Sequence, residues 1–427
     1  MTLIGLSFIL LLILGAPIAF CIGISSLIGL LSLEHTPLLL LPHMMFQGVD
    51  SFALLAVPFF VFAGTLMNAG GITRRLVSFA QVLVGHIRGG LALVNVVASM
   101  FFAGITGAAV ADTAAIGSVL IPAMNEEGYD LDYSAAITAA SSTLGPIIPP
   151  SIPMIIYGVS AEQSIAALFL AGIIPGLLVG AALMAVALYG GSRKKQLPDH
   201  CAAERRKGFG RGFKDALLAL FMPAIILGGI LGGIFTPTEA AAVSVLYAFV
   251  IGRFVYRELT LKQLPALMLE SVVVTAVIMF IIANAAIFGW LMAALEMPQK
   301  LVTALTGVFS SRWAILLMLN LFLLFVGTFM ETTASLIILT PVLLPLASRI
   351  GVDPIHFGAI MVLNLVIGLT TPPLGVCLFI SSGIAGISLE RISRAIVPFV
   401  LAAIAVLLLV TYIPALSVWI PHLYLQR

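Results

Sequence analysis

Two short stretches concentrate the residues able to do chemistry. The first is Leu144-Gly145-Pro146-Ile147-Ile148-Pro149-Pro150-Ser151 and the second is Gly368-Leu369-Thr370-Thr371-Pro372-Pro373-Leu374-Gly375. Each lies inside a long apolar segment that would otherwise read as a single helix. Proline lacks an amide hydrogen and its ring clashes with the preceding turn, so a Pro-Pro pair opens the helix and leaves carbonyl oxygens unpaired. Unpaired carbonyls beside small hydroxyls are oxygen ligands suited to Na+, and the N-terminus of a half-helix attracts a carboxylate. Backbone opened at membrane depth is tolerated only where protein buries it or where it lines a cavity.

Two more breaks carry small polar residues. Gly104-Ile105-Thr106-Gly107, followed by Asp112 and Thr113, splits the apolar segment 89–124. Gly327-Thr328-Phe329, with Glu331 beside it, splits the segment 313–348. The arms of the first segment have about 15 residues each, short of a ~30 Å hydrocarbon layer at ~1.5 Å per residue, which favours re-entrant hairpins over spans.

The candidate Na+ ligands are therefore Thr106, Gly107, Asp112, Ser141, Ser142 and Gly145 in the first half. In the second half they are Gly327, Thr328, Thr332, Gly368, Thr370 and Thr371. Thr143 lies in the same stretch. Thr113, Pro149, Pro150, Thr333, Asn364 and Pro372 are the candidates for contact with a substrate. The competing structural reading is close helix packing, for which Gly, Ser and Thr are routine in membranes. Asp112 and Glu331 are intramembrane acids, costly and usually functional, with capping of a hairpin arm as the alternative. Glu239, after Thr236-Pro237-Thr238, reads as a helix-start carboxylate. Glu270, early in a span, could face a partner.

Composition supplies the frame that must position these residues. The 427 residues are 61% hydrophobic and 9% charged, with a formal net charge of +2. A soluble chain carries about 25% charged residues, so this is an all-α polytopic membrane protein. Residues 3–31 lack a basic leader and a small-residue cleavage site and read as retained membrane segment, either two short spans or one kinked helix. Residues 73–85 and 297–309 read as interfacial helices. Cys21, Cys201 and Cys377 form no ligand pair, no two histidines have metal-ligand spacing, and no Walker motif or nucleophile elbow occurs. No metal beyond Na+ and no cofactor is expected. An ATP-driven pump, a hydrolase and a nucleic-acid binder are excluded by the same reading.

A shift of 223 residues aligns the halves without a gap from Phe102 to Pro175. Gly104 meets Gly327, Gly145 meets Gly368, Pro149-Pro150 meet Pro372-Pro373, and Pro175 meets Pro398. The loop 190–215 carries eight basic residues against three acids and belongs in the cytoplasm. Tracing outward from it brings the two hairpins in from opposite faces. The same trace puts 16 of the 20 basic residues inside and leaves Lys300, Arg312, Arg349 and Arg427 outside, with both termini outside. Inverted repeats with broken helices are an architecture of secondary transporters.

The residues Ala56-Val57-Pro58-Phe59-Phe60-Val61-Phe62-Ala63-Gly64, the run from Gly104 to Thr113, Gly145 to Ser151, and Thr371-Pro372-Pro373-Leu374-Gly375 carry a family resemblance. Across essentially its whole length the chain resembles the large membrane subunit of tripartite ATP-independent periplasmic (TRAP) transporters, the DctM-like family. The resemblance implies a multi-pass protein of the bacterial inner membrane that works with a small four-helix membrane subunit and a periplasmic substrate-binding protein. It implies import of a carboxylate (sialic acid, a C4-dicarboxylate or a sugar acid) on a Na+ gradient by an elevator-like motion. The small subunit is expected as a separate chain. On this reading residues 1–87 and 216–311 form the scaffold with its interfacial helices, 191–215 the cytoplasmic loop, and 88–190 and 312–427 the transport elements. The alternatives are a stand-alone ion-coupled anion transporter or antiporter of similar fold and, from another class, a channel.

Overall fold

A computed structural model of the chain describes residues 2–33, 36–87, 89–191, 217–308 and 311–425. Most of the basic loop, from residue 192, therefore lies outside the described residues, as do Arg88 and Arg427. Among the described residues every regular element is helical. Among the described residues six helices are long and apolar enough to cross a membrane, or up to eight if two bent pairs each count as one span.

The first half opens with α1 (Thr2–Ile13) and α2 (Ile18–Leu31). They are separate helices packed on each other, divided before Pro17, so the N-terminal segment is two short helices. Next come α3 (Leu40–Val49), a 3-10 turn at Phe52–Leu55 and α4 (Ala56–Ala69). Then α5 (Ile72–Val84) buries Ile72, Leu76, Val77, Phe79 and Ala80 and leaves Arg74, Ser78 and Gln81 exposed, the one-sided pattern of an interfacial helix. A two-residue link joins α6 (Gly90–Thr106) to α7 (Ala109–Glu126) in a helical hairpin. The interrupted helix follows as α8 (Leu131–Ser141), a 3-10 turn at Ser142–Leu144, the proline loop and α9 (Ile152–Ser160). A 27-residue span, α10 (Ile165–Gly191), ends the half.

The second half contains α11 (Leu217–Leu231), α12 (Pro237–Val250), α13 (Leu264–Ala294) and α14 (Met297–Val308). Thr236 and Glu239 form a reciprocal capping box at the start of α12, with Glu239 Oε2 accepting from Thr236 N at 2.8 Å. The second hairpin is α15 (Arg312–Phe329) and α16 (Thr332–Arg349), and the second interrupted helix is α17 (Pro354–Gly368) and α18 (Val376–Ala385). The chain closes with α19 (Leu389–Ala395), α20 (Val397–Tyr412) and α21 (Ala415–Leu425).

Element boundaries recur with the 223-residue offset. It relates both ends of α7 to α16, the C-terminal ends of α6 and α15, and the starts of α8 and α17. The Pro149-Pro150 and Pro372-Pro373 bonds, also 223 apart, are both cis.

Two expectations need correction. The hairpin arms hold 17, 18, 18 and 18 residues rather than about 15. The helix continues through Gly104, because one helical glycine costs only about 1 kcal/mol and this one packs beside Pro223. Arm length alone thus does not separate hairpin from span. Second, the other hairpin does not turn at Gly327-Thr328-Phe329: α15 runs through them to Phe329, and the link is Met330-Glu331. The α20–α21 pair is bent by 55° at Pro414, which cannot continue the hydrogen-bond ladder.

Within each half the interrupted helix packs on its own hairpin, α8 on α6 and α7, and α17 on α15 and α16. Between halves, α7 packs on α18 and α16 packs on α9. A separate group forms where α4 packs on α12 and α13, and α13 on α2 and α3. Among the described residues, ion pairs of Arg75 with Glu258 at 2.7 Å and of Arg391 with Asp132 at 2.8 Å, and a contact of His422 with Asp353 at 3.6 Å, join distant parts of the chain.

The closest approach of α15 and α17 is at Gly327 and Gly368. A Cβ on Gly368 would overlap the Gly327 backbone, which has no flexible end to move aside. Gly368→Ala is expected to destabilise the protein by about 1–3 kcal/mol, lowering the thermal unfolding midpoint in detergent by several degrees. Gly228→Ala in α11, where an added methyl meets nothing within 4 Å, is the control and is expected to leave the midpoint unchanged or slightly raised.

Candidate functional site

The first hairpin tip is seated in the first break. Gly107 adopts a left-handed conformation (φ 61°), and a Cβ there would stand 2.6 Å from the Pro150 carbonyl oxygen. Its carbonyl accepts from Ile152 N at 3.4 Å. A Cβ on Gly145 would stand 3.4 Å from the Ala108 carbonyl, so the tip passes close beside the break. Inside the loop, Ser151 Oγ donates to the Pro146 carbonyl and accepts from Met154 N at 3.2 Å, so one hydroxyl both closes the break and caps α9. Pro149 and Pro150 are buried by this packing.

Asp112, in the first turn of α7, is fully buried, and neither carboxylate oxygen has a hydrogen-bond partner. Thr106 Oγ1, at the tip before it, is also buried without a partner. The hydroxyls of Thr113, Ser142 and Thr143 donate to carbonyls of their own helices at 2.8, 2.7 and 2.6 Å. That spends their hydrogens and leaves lone pairs to accept, which is what a cation requires. The thiol of Cys377, from α18 of the other half, lies within hydrogen-bonding reach of Thr113 and Ser142. Gly107 and Gly145 thus lie where tip and break meet, and both hairpin arms, which carry Thr106 and Asp112, pack on the 3-10 turn that holds Ser142.

Ser141 points elsewhere. Its hydroxyl donates to Asn95 Oδ1 at 2.9 Å, and Ser99 Oγ lies 3.0 Å from it. Asn95 in turn donates to Thr138 at 2.7 Å. This buried network pins α8 to α6.

In the second half the Gly327–Gly368 contact sets the tip against the break. Thr328 donates to Phe325 O at 2.7 Å, and Thr370 and Thr371 both donate to Ile367 O at 2.9 Å, again leaving oxygen lone pairs. Thr332 Oγ1 is buried without a partner, and Thr333 is buried beside it. Asn364 donates to Asn320 Oδ1 at 2.8 Å while its own Oδ1 has no partner. Asn320 donates onward to Thr411 at 3.1 Å. Unlike the first break, this loop is partly open: Pro372 is half-buried, and Pro373 and Leu374 are exposed.

The two intramembrane acids divide. Glu331 is the N-cap of α16 and accepts from Ala334 N at 3.1 Å, which is the structural role. Asp112 caps nothing, since Ala108 occupies that position in α7. Three residues of the sites escaped notice in the sequence. Asn95 and Asn320 were legible as lone amides in apolar hairpin arms. Cys377 was not, because only the packing of α18 on α7 brings it in.

A polytopic helical protein in which two hairpins meet two interrupted helices has the fold of a membrane transporter. Comparison with solved structures agrees. The YdaH transporter of Alcanivorax borkumensis superposes with a TM-score of 0.64 at 17% identity, over 98% of both chains. MtrF of Neisseria gonorrhoeae gives 0.56 at 14%, over 95% of this chain and 94% of that one. The family model for the tripartite ATP-independent periplasmic transporter, DctM component, matches residues 6–416, and the chain belongs to this family. It is a TRAP transporter large permease, not an enzyme. It is 43% identical to the sialic acid TRAP transporter large permease SiaM of Vibrio cholerae, over 96% of both chains. It is 44% identical to the isethionate TRAP transporter permease DctMQ of Oleidesulfovibrio alaskensis, over 96% of this chain and 65% of that protein's length. The C4-dicarboxylate permease DctM of Pseudomonas aeruginosa is 42% identical over 94% of this chain and 93% of its own.

If Asp112 ligates a cation, Na+ will stabilise the folded protein by mass action, and this stabilisation should vanish in Asp112→Asn, which keeps shape and removes charge. The measurement is the unfolding midpoint in NaCl against equimolar KCl. A Na+-specific rise that survives the substitution rules Asp112 out as a ligand.

Proposed function

We propose that the chain is the large membrane subunit of a Na+-driven carboxylate importer in the bacterial inner membrane. It receives its substrate from a periplasmic binding protein and works beside a small membrane subunit. One observation carries the reading. The first hairpin tip places buried oxygens without partners, Thr106 Oγ1 and both oxygens of Asp112, against a broken helix whose hydroxyls have already spent their hydrogens. A site rich in lone pairs and poor in donors suits Na+. The second half repeats the donor set with Thr328, Thr332, Thr370 and Thr371.

The substrate class follows relatives named for sialic acid, C4-dicarboxylates, isethionate and 2,3-diketo-L-gulonate, all small anions. Half-helix N-termini at α9 and α18, with Pro149, Pro150, Thr333, Asn364 and Pro372 nearby in the fold, are where such an anion would be held. The partner assignment draws support from the DctMQ-type relative, of which this chain spans 65%. The remaining third has room for a small membrane subunit.

The inverted orientation of the halves is supported by the long-range contacts between polar groups. The trace puts Arg75, Glu258, Asp132 and Arg391 on the cytoplasmic side and Asp353 and His422 on the periplasmic side. Each pair joins residues of one side. We assign residues 88–190 and 312–427 to the transport body and residues 1–87 and 216–311 to the scaffold. The packing of α7 on α18 and of α16 on α9 ties the two halves of the transport body together, as an elevator motion requires. The basic loop 191–215 connects the repeats on the cytoplasmic side.

The test is uptake by the complex in proteoliposomes under a Na+ gradient, compared with K+ and Li+ gradients of the same size. Uptake of sialic acid or succinate is expected only with Na+. Equal uptake with all three ions would sink the coupling claim. Co-purification of a small membrane subunit separates this reading from a stand-alone transporter.

A further inference from the structure

Cys377 stands in the first turn of α18, just after the second break, and its two polar groups serve different halves. Its backbone belongs to the second break: the Cys377 amide donates to Leu369 O at 3.1 Å. The loop is drawn tight there, since a Cβ on Gly375 would stand 2.6 Å from the same Leu369 oxygen. Its side chain belongs to the first half. The thiol is fully buried and lies within hydrogen-bonding reach of Thr113 and Ser142, and the Asp112 carboxylate is near enough to act on it electrostatically. Thr113 and Ser142 have spent their hydrogens on Ala109 O and Ala139 O, at 2.8 and 2.7 Å. Toward Cys377 they can only accept, so the S–H is the donor. One turn along the same face of α18, Ser381 Oγ is buried without a partner. Further on, Ile384 meets Gly117 of α7, where a Cβ would stand 3.1 Å from Ile384 Cδ1. With α18 resting on both α7 and α8, its first turn is held at once by the second break and by the first-half cluster.

The repeat shows that the fold does not need polar groups at this junction. The 223-residue offset carries Thr113 to Leu336, Ser142 to Leu365 and Cys377 to Met154. All three counterparts are apolar and fully buried. The Met154 side chain packs within its own half on Gly172 of α10, where a Cβ would stand 2.7 Å from Met154 Cε. At these positions the second junction is apolar, while the first holds two hydroxyls and a thiol beside a carboxylate. Buried polar groups cost free energy that apolar residues of similar size do not. The first junction therefore departs from the repeat for a reason other than packing.

We infer that Cys377 is a positioning residue that couples the two sites: cation occupancy among Asp112, Thr113 and Ser142 sets the thiol, and through it the first turn of α18 and the second break. The inference rests on the reading of the first-half cluster as a Na+ site and of the α18 N-terminus as a place for the carboxylate. With Asp112 ionised, the three oxygen-bearing side chains can only accept toward the cluster, and the thiol is the donor they share. A cation that draws on the same oxygens fixes their positions, and the thiol with them. Coupling of binding is reciprocal, so the carboxylate favours the cation by the factor by which the cation favours it. Met154 has no hydrogen to donate, so the first break has no such link at the corresponding position.

The test uses the transporter complex with Cys21→Ala and Cys201→Ser, which leaves Cys377 as the one cysteine of this chain. Modification of Cys377 by methyl methanethiosulfonate is followed by mass spectrometry in NaCl and in equimolar KCl. Na+ is expected to slow the reaction about fivefold, the lower end of couplings between sites, and Asp112→Asn is expected to abolish the difference. Equal rates in the two salts, no reaction in either, or protection that survives Asp112→Asn overturns the inference. Uptake in proteoliposomes is the second measurement. In the wild type, lowering Na+ is expected to raise the KM for succinate or sialic acid. In Cys377→Val, which keeps the volume and loses the S–H, that rise is expected to shrink about fivefold. Cys377→Ser, which retains a donor, is expected to restore most of it. An unchanged rise in Cys377→Val overturns the link and leaves the importer reading intact. If Cys377→Val fails to fold, the labelling of the native thiol decides. Wild-type uptake that is absent or indifferent to Na+ overturns the importer reading and this inference with it.

Discussion

In hydrocarbon an unpaired backbone amide or carbonyl costs several kcal/mol, because no water is available to replace the lost hydrogen bond. Pro146, Pro149 and Pro150 remove three donors within five residues, and the rest of the first half is built to answer that loss. The Ser151 hydroxyl returns to Pro146 O, Gly107 O receives the Ile152 amide, and Ala108 closes over Gly145. The hairpin tip brings a free carbonyl to that point, so the hairpin completes the break. A glycine is needed at the tip because the Pro150 carbonyl occupies the place of its side chain.

The same device recurs 223 residues later with a different degree of cover. The first loop is buried, with α9 caught between α16 and α17, and Tyr157 of α9 donates to Pro354 O at 2.6 Å. The second loop leaves Pro373 and Leu374 exposed. Each half also anchors its interrupted helix to its hairpin with one buried amide, Asn95 holding Ser141 and Asn320 holding Asn364. Such fully internal bonds stiffen the helices beside the sites without using the oxygens that face the breaks. Cys377 reaching Thr113 and Ser142 from the opposite half makes the first site a product of both repeats.

Much of this was legible in the chain. Proline and glycine act through the backbone, so their positions marked both breaks and the first tip before any packing was known; the second tip turns at Met330-Glu331, beyond Gly327. The capping role of Glu239 was readable from Thr236-Pro237-Thr238, since a capping box is a contact between residues three apart. Asp112 and Glu331 looked alike as acids near hairpin tips. They separated only when the helix boundaries placed Glu331 at an N-cap and Asp112 four residues inside α7. Arm length was misjudged because Gly104 was read as a breaker, while its packing beside Pro223 keeps the helix intact.

By itself the sequence determined what depends on composition and on near neighbours: a membrane chain, its helices, its interruptions and the repeat that relates them. Those follow from the periodicity of apolar residues and from backbone restrictions that act within a few residues. The tertiary structure decided which hydroxyls face a site and which are spent. Ser141 and Ser142 are adjacent and chemically identical, yet one is bonded to Asn95 across 46 residues and the other donates to Ala139 O within its own helix. That choice depends on which helix packs on which face, a property of contacts far apart in the chain that no local pattern encodes.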